Sequence, residues 1–306
     1  MEGAGILEGC WHRALVFSTY PRILFSLSVL VLLDKEITKA LMRNLTNMLG
    51  ISNHGSSIIN LMVPLSEEQR KTVAQSRFAS SKKQTVFFRI CLSQSMEVVE
   101  YFLKNCSPDV DEICELSIDD DDEKTIVYVS PLWSAAHGNK IDLARILLKY
   151  GADVNLQTNR KSTPLRIACR EKHVDMVKFL VANGADITAK NVDGCMCLMS
   201  GTGNAEILKY LIEIGADVNA KETGHWCATA LHYAVYTEKI ELVQILVDAG
   251  ADMSIKDKSG HAPYACAALN TNTEMMEYLL RMNTEPVRKC DQGIRTFRFC
   301  FSGRRK

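Results

Sequence analysis

The stretch that decides the fold is Ser162-Thr163-Pro164-Leu165, because shortened versions of it recur along the chain. Its proline-leucine pair, or a substitute for it, returns every 33 residues, as Pro131-Leu132, Pro164-Leu165, Cys197-Leu198, Ala230-Leu231 and Pro263-Tyr264. A second marker, Gly-Ala-Asp followed by an apolar residue, begins at Gly151, Gly184, Gly215 and Gly250. A fixed period held over five copies indicates a stack of repeated structural units.

The unit that begins at Pro164 shows why each residue type is needed. The hydroxyls of Ser162 and Thr163 can cap a helix, and Pro164 fits its first turn, where no N–H partner is required. A second helix is indicated by apolar residues at helical spacing, namely Val174, Val177, Phe179 and Leu180. Gly184 then supplies a left-handed stop. The sequence predicts an inner and an outer helix in each unit, with extended fingers between units.

The period and the pattern resemble those of the ankyrin repeat. The resemblance implies an all-α ankyrin-repeat solenoid of helix-turn-helix units with projecting fingers, whose concave face of fingers and inner helices is free to bind a partner. We expect three regions: a divergent N-terminal segment at 1–83, partly helical or disordered; an ankyrin-repeat domain at 84–282 with about six units, the first degenerate; and a basic tail at 283–306.

The unit that begins at Cys197 departs from regular spacing. Its helices are shorter by two residues than those of the preceding unit, and the loop after Gly215 is longer by two. The shortening falls at Gly201 and Gly203, so we predict a clipped inner helix. This Gly-x-Gly lacks the third glycine, preceding strand and acidic partner of a phosphate-binding loop.

Two further segments lie outside the repeat pattern. Residues 109–123 contain nine carboxylates and no basic residue, which predicts an extended acidic loop. The Ser, Arg and Lys residues of 70–83 resemble a linker.

Composition excludes several classes of function. Lys plus Arg and Asp plus Glu both number 36, so no excess of positive charge attracts nucleic acid. The eleven cysteines show no C-x-x-C doublet, and we expect reduced thiols in a cytoplasmic or nuclear protein that holds no metal or cofactor. The apolar stretch 14–33 is interrupted by Pro21 and Arg22, which argues against a membrane anchor. Because no nucleophile elbow, His-Glu-x-x-His or phosphate loop occurs, we do not expect an enzyme.

Some repeats resemble one group of ankyrin proteins in particular, the fem family. The resemblance rests on the motifs Ser162-Thr163-Pro164-Leu165-Arg166-x-Ala168-Cys169, Cys197-Leu198-Met199, Ala228-Thr229-Ala230-Leu231-His232 and Ser130-Pro131-Leu132-Trp133. It covers about residues 84–282 and implies a substrate receptor of cullin ubiquitin ligases that binds C-terminal arginine degrons. The box that binds Elongin C in that family is absent, so we expect no direct binding of Elongin C.

The resemblance also implies a degron-binding site at Arg166 and Glu171. A guanidinium can hold a terminal carboxylate through two charge-assisted bonds. Carboxylates facing an arginine side chain of the ligand would be those of Glu171, Asp119, Asp120, Asp121 and Asp122. On the periodic pattern alone, Arg166 and Glu171 are equally well interpreted as ordinary exposed residues.

Aromatic residues near the fingers are further candidates for peptide contacts, namely Trp133, Trp226 and Tyr233. His232 occupies the histidine position of the ankyrin signature, which favours a structural hydrogen bond over a ligand contact. The alternative function is a generic ankyrin scaffold or adaptor, binding another protein partner without a ligase link. Dependence of peptide affinity on a free C-terminal carboxylate distinguishes the two.

Overall fold

A computed structural model of the chain describes residues 45, 55–77, 84–93, 95–120, 123–224, 226–270 and 272–282, with side chains left out for 118–125. In chain order its elements are α1 (Gly55–Met62), α2 (Glu67–Gln75), α3 (Val86–Ser93), α4 (Met96–Asn105), β1 (Cys114–Asp120), β2 (Glu123–Val129), α5 (Pro131–His137), α6 (Ile141–Lys149), α7 (Pro164–Arg170), α8 (Val174–Ala182), α9 (Cys197–Ser200), α10 (Ala205–Glu213), α11 (Ala230–Tyr236), α12 (Ile240–Asp248), α13 (Pro263–Leu269) and α14 (Thr273–Met282). No helix among these residues combines the length and apolar character that a membrane crossing needs.

The predicted fold class is confirmed. The inner helices α5, α7, α9, α11 and α13 begin at the five residues that the 33-residue period marks. Thr163 caps α7 as expected, since its Oγ1 accepts a hydrogen bond from the N–H of Arg166 at 3.2 Å, and Pro164 occupies the first turn. The sequence signals therefore act locally, one helix start at a time.

Stacking of these helices produces the core. Each inner helix contacts the next along the chain, from α5 to α13. The second residue of the helix is buried in four consecutive units, as Leu132, Leu165, Leu198 and Leu231. A unit alone would leave this leucine in water, so burial by the neighbours stabilises the stack.

The Gly-Ala-Asp marker ends the outer helices and joins consecutive units. Gly184 has φ +88°, the left-handed conformation predicted for it. The Asn155 side chain accepts from the N–H of Asp186 at 2.8 Å and donates to the carbonyl of Gly184 at 3.2 Å. Asn219 makes the equivalent pair of bonds with the Gly250 marker, at 2.7 and 3.2 Å.

The clipped inner helix is also confirmed. Helix α9 has four residues, whereas α7 has seven. A Cβ at Gly201 would lie 2.9 Å from the Ile207 side chain, so the chain turns closely onto α10 here.

The acidic segment differs from the prediction, because much of it is a β-hairpin rather than a loop. Strands β1 and β2 pair antiparallel from Cys114 opposite Val129 to Asp120 opposite Glu123. The β-branched and aromatic run 125–129 favours a strand, and pairing satisfies the backbone of the acidic partner strand despite its low strand propensity. Gln84 Nε2 donates to the carbonyl of Glu115 at 2.6 Å and attaches the hairpin to the first helix pair.

The predicted linker at 70–83 is wrong over its first residues. Arg70 lies in α2, where its guanidinium donates to the carbonyls of Met62 at 3.1 Å and Val63 at 2.7 Å. These bonds satisfy the C-terminal carbonyls of α1, so an arginine that resembles linker composition closes a helix end instead.

Candidate functional site

The fingers form a continuous row across the repeats. In the described repeat region they span residues 150–163, 183–196, 214–229 and 249–262, and we call them the first to fourth fingers. The N–H of Val192 in the second finger donates to the carbonyl of Arg160 in the first at 3.1 Å. The N–H of Lys258 in the fourth donates to the carbonyl of Trp226 in the third at 2.8 Å.

Two glycines hold the second and third fingers together. Gly194 has φ +78°, and a Cβ there would clash with Thr223. A Cβ at Gly224 would lie 2.7 Å from the carbonyl oxygen of Asp193. Side chains cannot be added at either point without moving backbone, so these glycines permit a contact that joins the two finger tips.

Arg166 lies half-buried on the finger side of α7. Its Nε donates to the hydroxyl of Ser162 at 3.3 Å, and one Nη donates to the hydroxyl of Ser200 at 3.2 Å. No carboxylate of the described residues forms an ion pair with this guanidinium. Because a guanidinium carries five donors, Arg166 retains capacity for an anionic ligand.

The charges around Arg166 also favour an anion. Burial lowers the pKa of Arg166, and the nearby positive charges of Arg170 and Arg160 lower it further, while Asp193 opposes them. Arginine nevertheless stays protonated in proteins. A partly desolvated cation beside other cations is stabilised when a carboxylate arrives.

A second polar cluster centres on Glu222, which is 3% exposed. One carboxylate oxygen accepts from Tyr233 Oη at 2.7 Å and from Cys195 Sγ at 2.9 Å. The other accepts from the N–H of Trp226 at 3.1 Å. Glu222 thereby connects the second finger, the third finger and α11.

The two side-chain donors keep their protons at neutral pH. Burial raises the pKa of Cys195 to about 12, and its hydrogen bond to Glu222 acts in the same direction. Burial also raises the pKa of Tyr233 well above its ordinary range. Both groups therefore act as lasting donors to the carboxylate.

Glu171 and Arg166 are placed apart by the helix. Glu171 caps the end of α7, five residues after Arg166, which is about 140° around the helix axis. Its carboxylate accepts from Arg170 Nε at 3.1 Å. The structure thus pairs the predicted acid with the adjacent arginine and leaves it partly exposed.

Trp133 is not the exposed peptide anchor that the sequence suggested. Its side chain is 3% exposed, stacks on His137 with ring centroids 5.6 Å apart, and donates to Ser162 Oγ at 3.4 Å. Position in the inner helix, rather than proximity to a finger, decides its burial. Trp133 supports the serine that also receives the Arg166 Nε bond.

The predicted acidic residues cannot all be located. Asp119 and Asp120 end β1, but their side chains are not described. Asp121 and Asp122 lie outside the described residues.

Trp226 and Tyr233, in contrast, meet at Glu222. Trp226 is half-buried on the lengthened third finger, and Tyr233 is half-buried on α11. The structural interpretation of His232 is confirmed, since the ring bonds to Thr229 and to the carbonyl of His261 at 3.1 Å.

Sequence reasoning missed Glu222, Ser162 and Ser200 as parts of the site. The signal for Glu222 was the extra length of the third finger, which places it opposite α11. The two serines are common residue types with no distinguishing pattern, so their role required the contacts themselves. Across the described residues, no group of His, Cys, Asp or Glu side chains is arranged to hold a metal ion.

Comparison with known proteins places these units in a wider group. A family model described as "Ankyrin repeats" matches residues 111–191 and 195–290. The chain is 28% identical over 169 residues to the ankyrin repeat and KH domain-containing protein mask-1 of Caenorhabditis elegans, covering 55% of this chain and 6% of that protein. It is 30% identical over 152 residues to the transient receptor potential cation channel subfamily A member 1 of Drosophila melanogaster, covering 50% and 10%.

A shorter relative shares part of the repeat region. Protein phosphatase 1 regulatory subunit 27 of Homo sapiens is 35% identical over 66 residues, which is 22% of this chain and 43% of that protein. The chain therefore spans less than half the length of each of these three relatives.

Proposed function

Since this chain belongs to the ankyrin-repeat family, which typically serves as a non-catalytic protein-interaction module, we propose that it binds the C-terminal segment of a partner protein beside its fingers. In this proposal Arg166 holds the terminal carboxylate. The observation that carries it is a half-buried guanidinium whose described contacts are two hydroxyls and no acid.

The chemistry of the two groups matches. A guanidinium presents parallel N–H donors with the spacing of carboxylate oxygens, so a free chain terminus can be bound through two bonds. Hydrogen bonds to charged groups contribute about 1.5–3 kcal/mol each. Ser162 and Ser200 hold the side chain in place, which reduces the entropy lost on binding.

The fem-type motifs extend the proposal to a specific ligand, a degron that ends in arginine, and to a role as substrate receptor in protein ubiquitination. Glu171 supports this extension because its carboxylate remains partly exposed beside Arg170. Asp119 and Asp120 support it through their place at the end of an acidic strand. These acids would face the cationic side chain while Arg166 faces the carboxylate.

A second candidate is a scaffold that binds an acidic segment of another protein with no ligase link. The positive charges of Arg160 and Arg170 near Arg166 favour it, because they repel a cationic end residue. The two candidates share the carboxylate contact and differ in the side chain that accompanies it.

Fluorescence anisotropy with a labelled peptide ending in arginine tests the shared contact. We expect amidation of the peptide's C-terminus to weaken binding about ten- to a hundredfold, equivalent to about 1.5–3 kcal/mol. Arg281→Ala is a matched control, because Arg281 is an exposed arginine on α14, paired with Glu277 at 3.7 Å. Equal affinity of free and amidated peptides would overturn the proposal.

The end residue separates the two candidates. Peptides that end in Arg, Gln or Glu share a free carboxylate and differ in side-chain charge. Tightest binding of the arginine form supports the degron, and tightest binding of the glutamate form supports the acidic segment. Equal binding of all three would contradict side-chain recognition in both.

A further inference from the structure

The third finger carries an aromatic side chain beside an exposed aliphatic one on its neighbour. Trp226 is half-buried, and Val192, on the second finger, is 50% exposed. We propose that Val192 and Trp226 form an apolar subsite, positioned by Glu222, that binds an aliphatic or aromatic side chain of the partner segment. This inference rests on the proposed function, because the same segment places its carboxylate at Arg166.

The fingers bring this subsite next to Arg166. The contacts at Gly194 and Gly224 lock the tips of the second and third fingers together. Asp193, which directly follows Val192, is close enough for its charge to act on Arg166. Cys195 lies in the same finger and bonds to Glu222. A short peptide can therefore reach both the cation and the apolar pair.

Glu222 is suited to position the third finger because a carboxylate only accepts hydrogen bonds. It receives three donors, from Tyr233, Cys195 and the backbone of Trp226. An amide in its place would turn an NH2 group toward at least one of these donors. The finger would lose a fixed attachment next to Trp226, although its bond to Lys258 would remain.

The occupant is an apolar side chain because the polar groups around the subsite already have partners. The backbone N–H of Val192 and the carbonyl of Trp226 are engaged in the finger row. What remains for a ligand is the aliphatic and indole surface. Aromatic residues in such positions often dominate the affinity of a protein interface.

A peptide series tests the subsite directly. The probe is a serine-rich peptide ending in arginine, in which one leucine is moved through the positions before the end. We expect one leucine position to bind about tenfold more tightly than the all-serine peptide. Trp226→Ala should remove that gain, Trp226→Phe should keep most of it, and neither should change affinity for the all-serine peptide.

A matched pair of variants controls for apolar surface in general. Val192→Ser should reduce the leucine gain, whereas Ile126→Ser, at a residue 52% exposed on β2, should not. A leucine gain that survives Trp226→Ala and Val192→Ser would overturn the subsite. If these variants are silent while amidation still weakens binding, the subsite fails and the carboxylate proposal stands.

Glu222→Gln tests the positioning role. We expect it to abolish the leucine gain and to shift the fluorescence of Trp226, with affinity for the all-serine peptide unchanged. A Trp226→Phe background identifies the part of the emission that belongs to this residue. Equal weakening of both peptides would instead show a purely structural role, and an unchanged leucine gain would show that Glu222 does not position the finger.

Discussion

The Pro164 unit and the Ala230 unit carry different residues at the same point of the repeat. Arg166 and His232 are 66 residues apart, twice the repeat length, and each is the third residue of its inner helix. His232 is 2% exposed, and its two ring nitrogens bond to Thr229 and to the carbonyl of His261. Arg166 is half-buried and reaches two hydroxyls.

The difference separates stability from binding within one repeat design. The histidine joins its own helix start to the backbone before the next unit, so its bonding capacity is used inside the protein. The arginine replaces those bonds with weaker contacts and keeps a positive charge near the surface. Departure from the repeat signature thus marks the place where we propose a ligand binds.

The largest effect should follow from His232→Ala. The change removes three hydrogen bonds and leaves a cavity and buried partners at Thr229 and His261. We expect the free energy of unfolding to fall by about 3 kcal/mol, measured by urea denaturation. Arg166→Ala should change it by less than about 1 kcal/mol. A larger loss for Arg166→Ala than for His232→Ala would break the comparison.

A smaller effect should appear as pH is lowered with His232 intact. Burial lowers the pKa of His232 below its ordinary value of 6.5, so the unfolded chain takes up a proton before the folded one. The stability contribution is therefore present above pH 6.5 and is lost as pH falls from there through the folded-state pKa. Denaturation at several pH values should show this slope, and His232→Asn should remove it.

The smallest effect is expected when Arg166 is replaced by the signature residue. Arg166→His should allow the bonds that His232 makes, with Thr163 in the place of Thr229 and the carbonyl of Cys195 in the place of His261. We expect a gain of about 0.5–1 kcal/mol in the free energy of unfolding, together with loss of carboxylate binding. A stabilised variant that still binds the free peptide terminus would contradict the division of roles.

The sequence predicted the parts of the fold that local patterns determine. Helix starts, the left-handed glycine at 184 and the clipped helix α9 follow from capping, conformational freedom and spacing within one unit. The hairpin was missed because acidic residues rarely favour strands, and its pairing depends on the partner run 125–129.

The candidate site was less predictable because its contacts cross units. Arg166 was identified by a motif, but its serine partners come from the preceding finger and from α9. Glu222 was missed because burial of a carboxylate depends on three donors from separate segments. Trp133 was misassigned because residue type alone does not tell an interface aromatic from a core aromatic.

The most direct test of the account is a double-mutant cycle by calorimetry, combining Arg166→Ala with amidation of an arginine-ending peptide. Each change alone should weaken binding about ten- to a hundredfold. Because both remove the same contact, the two together should weaken it little more than either one. Losses that simply add, or an Arg166→Ala protein that binds both peptides as tightly as the unaltered chain does, would contradict the proposal that Arg166 holds the partner's terminal carboxylate.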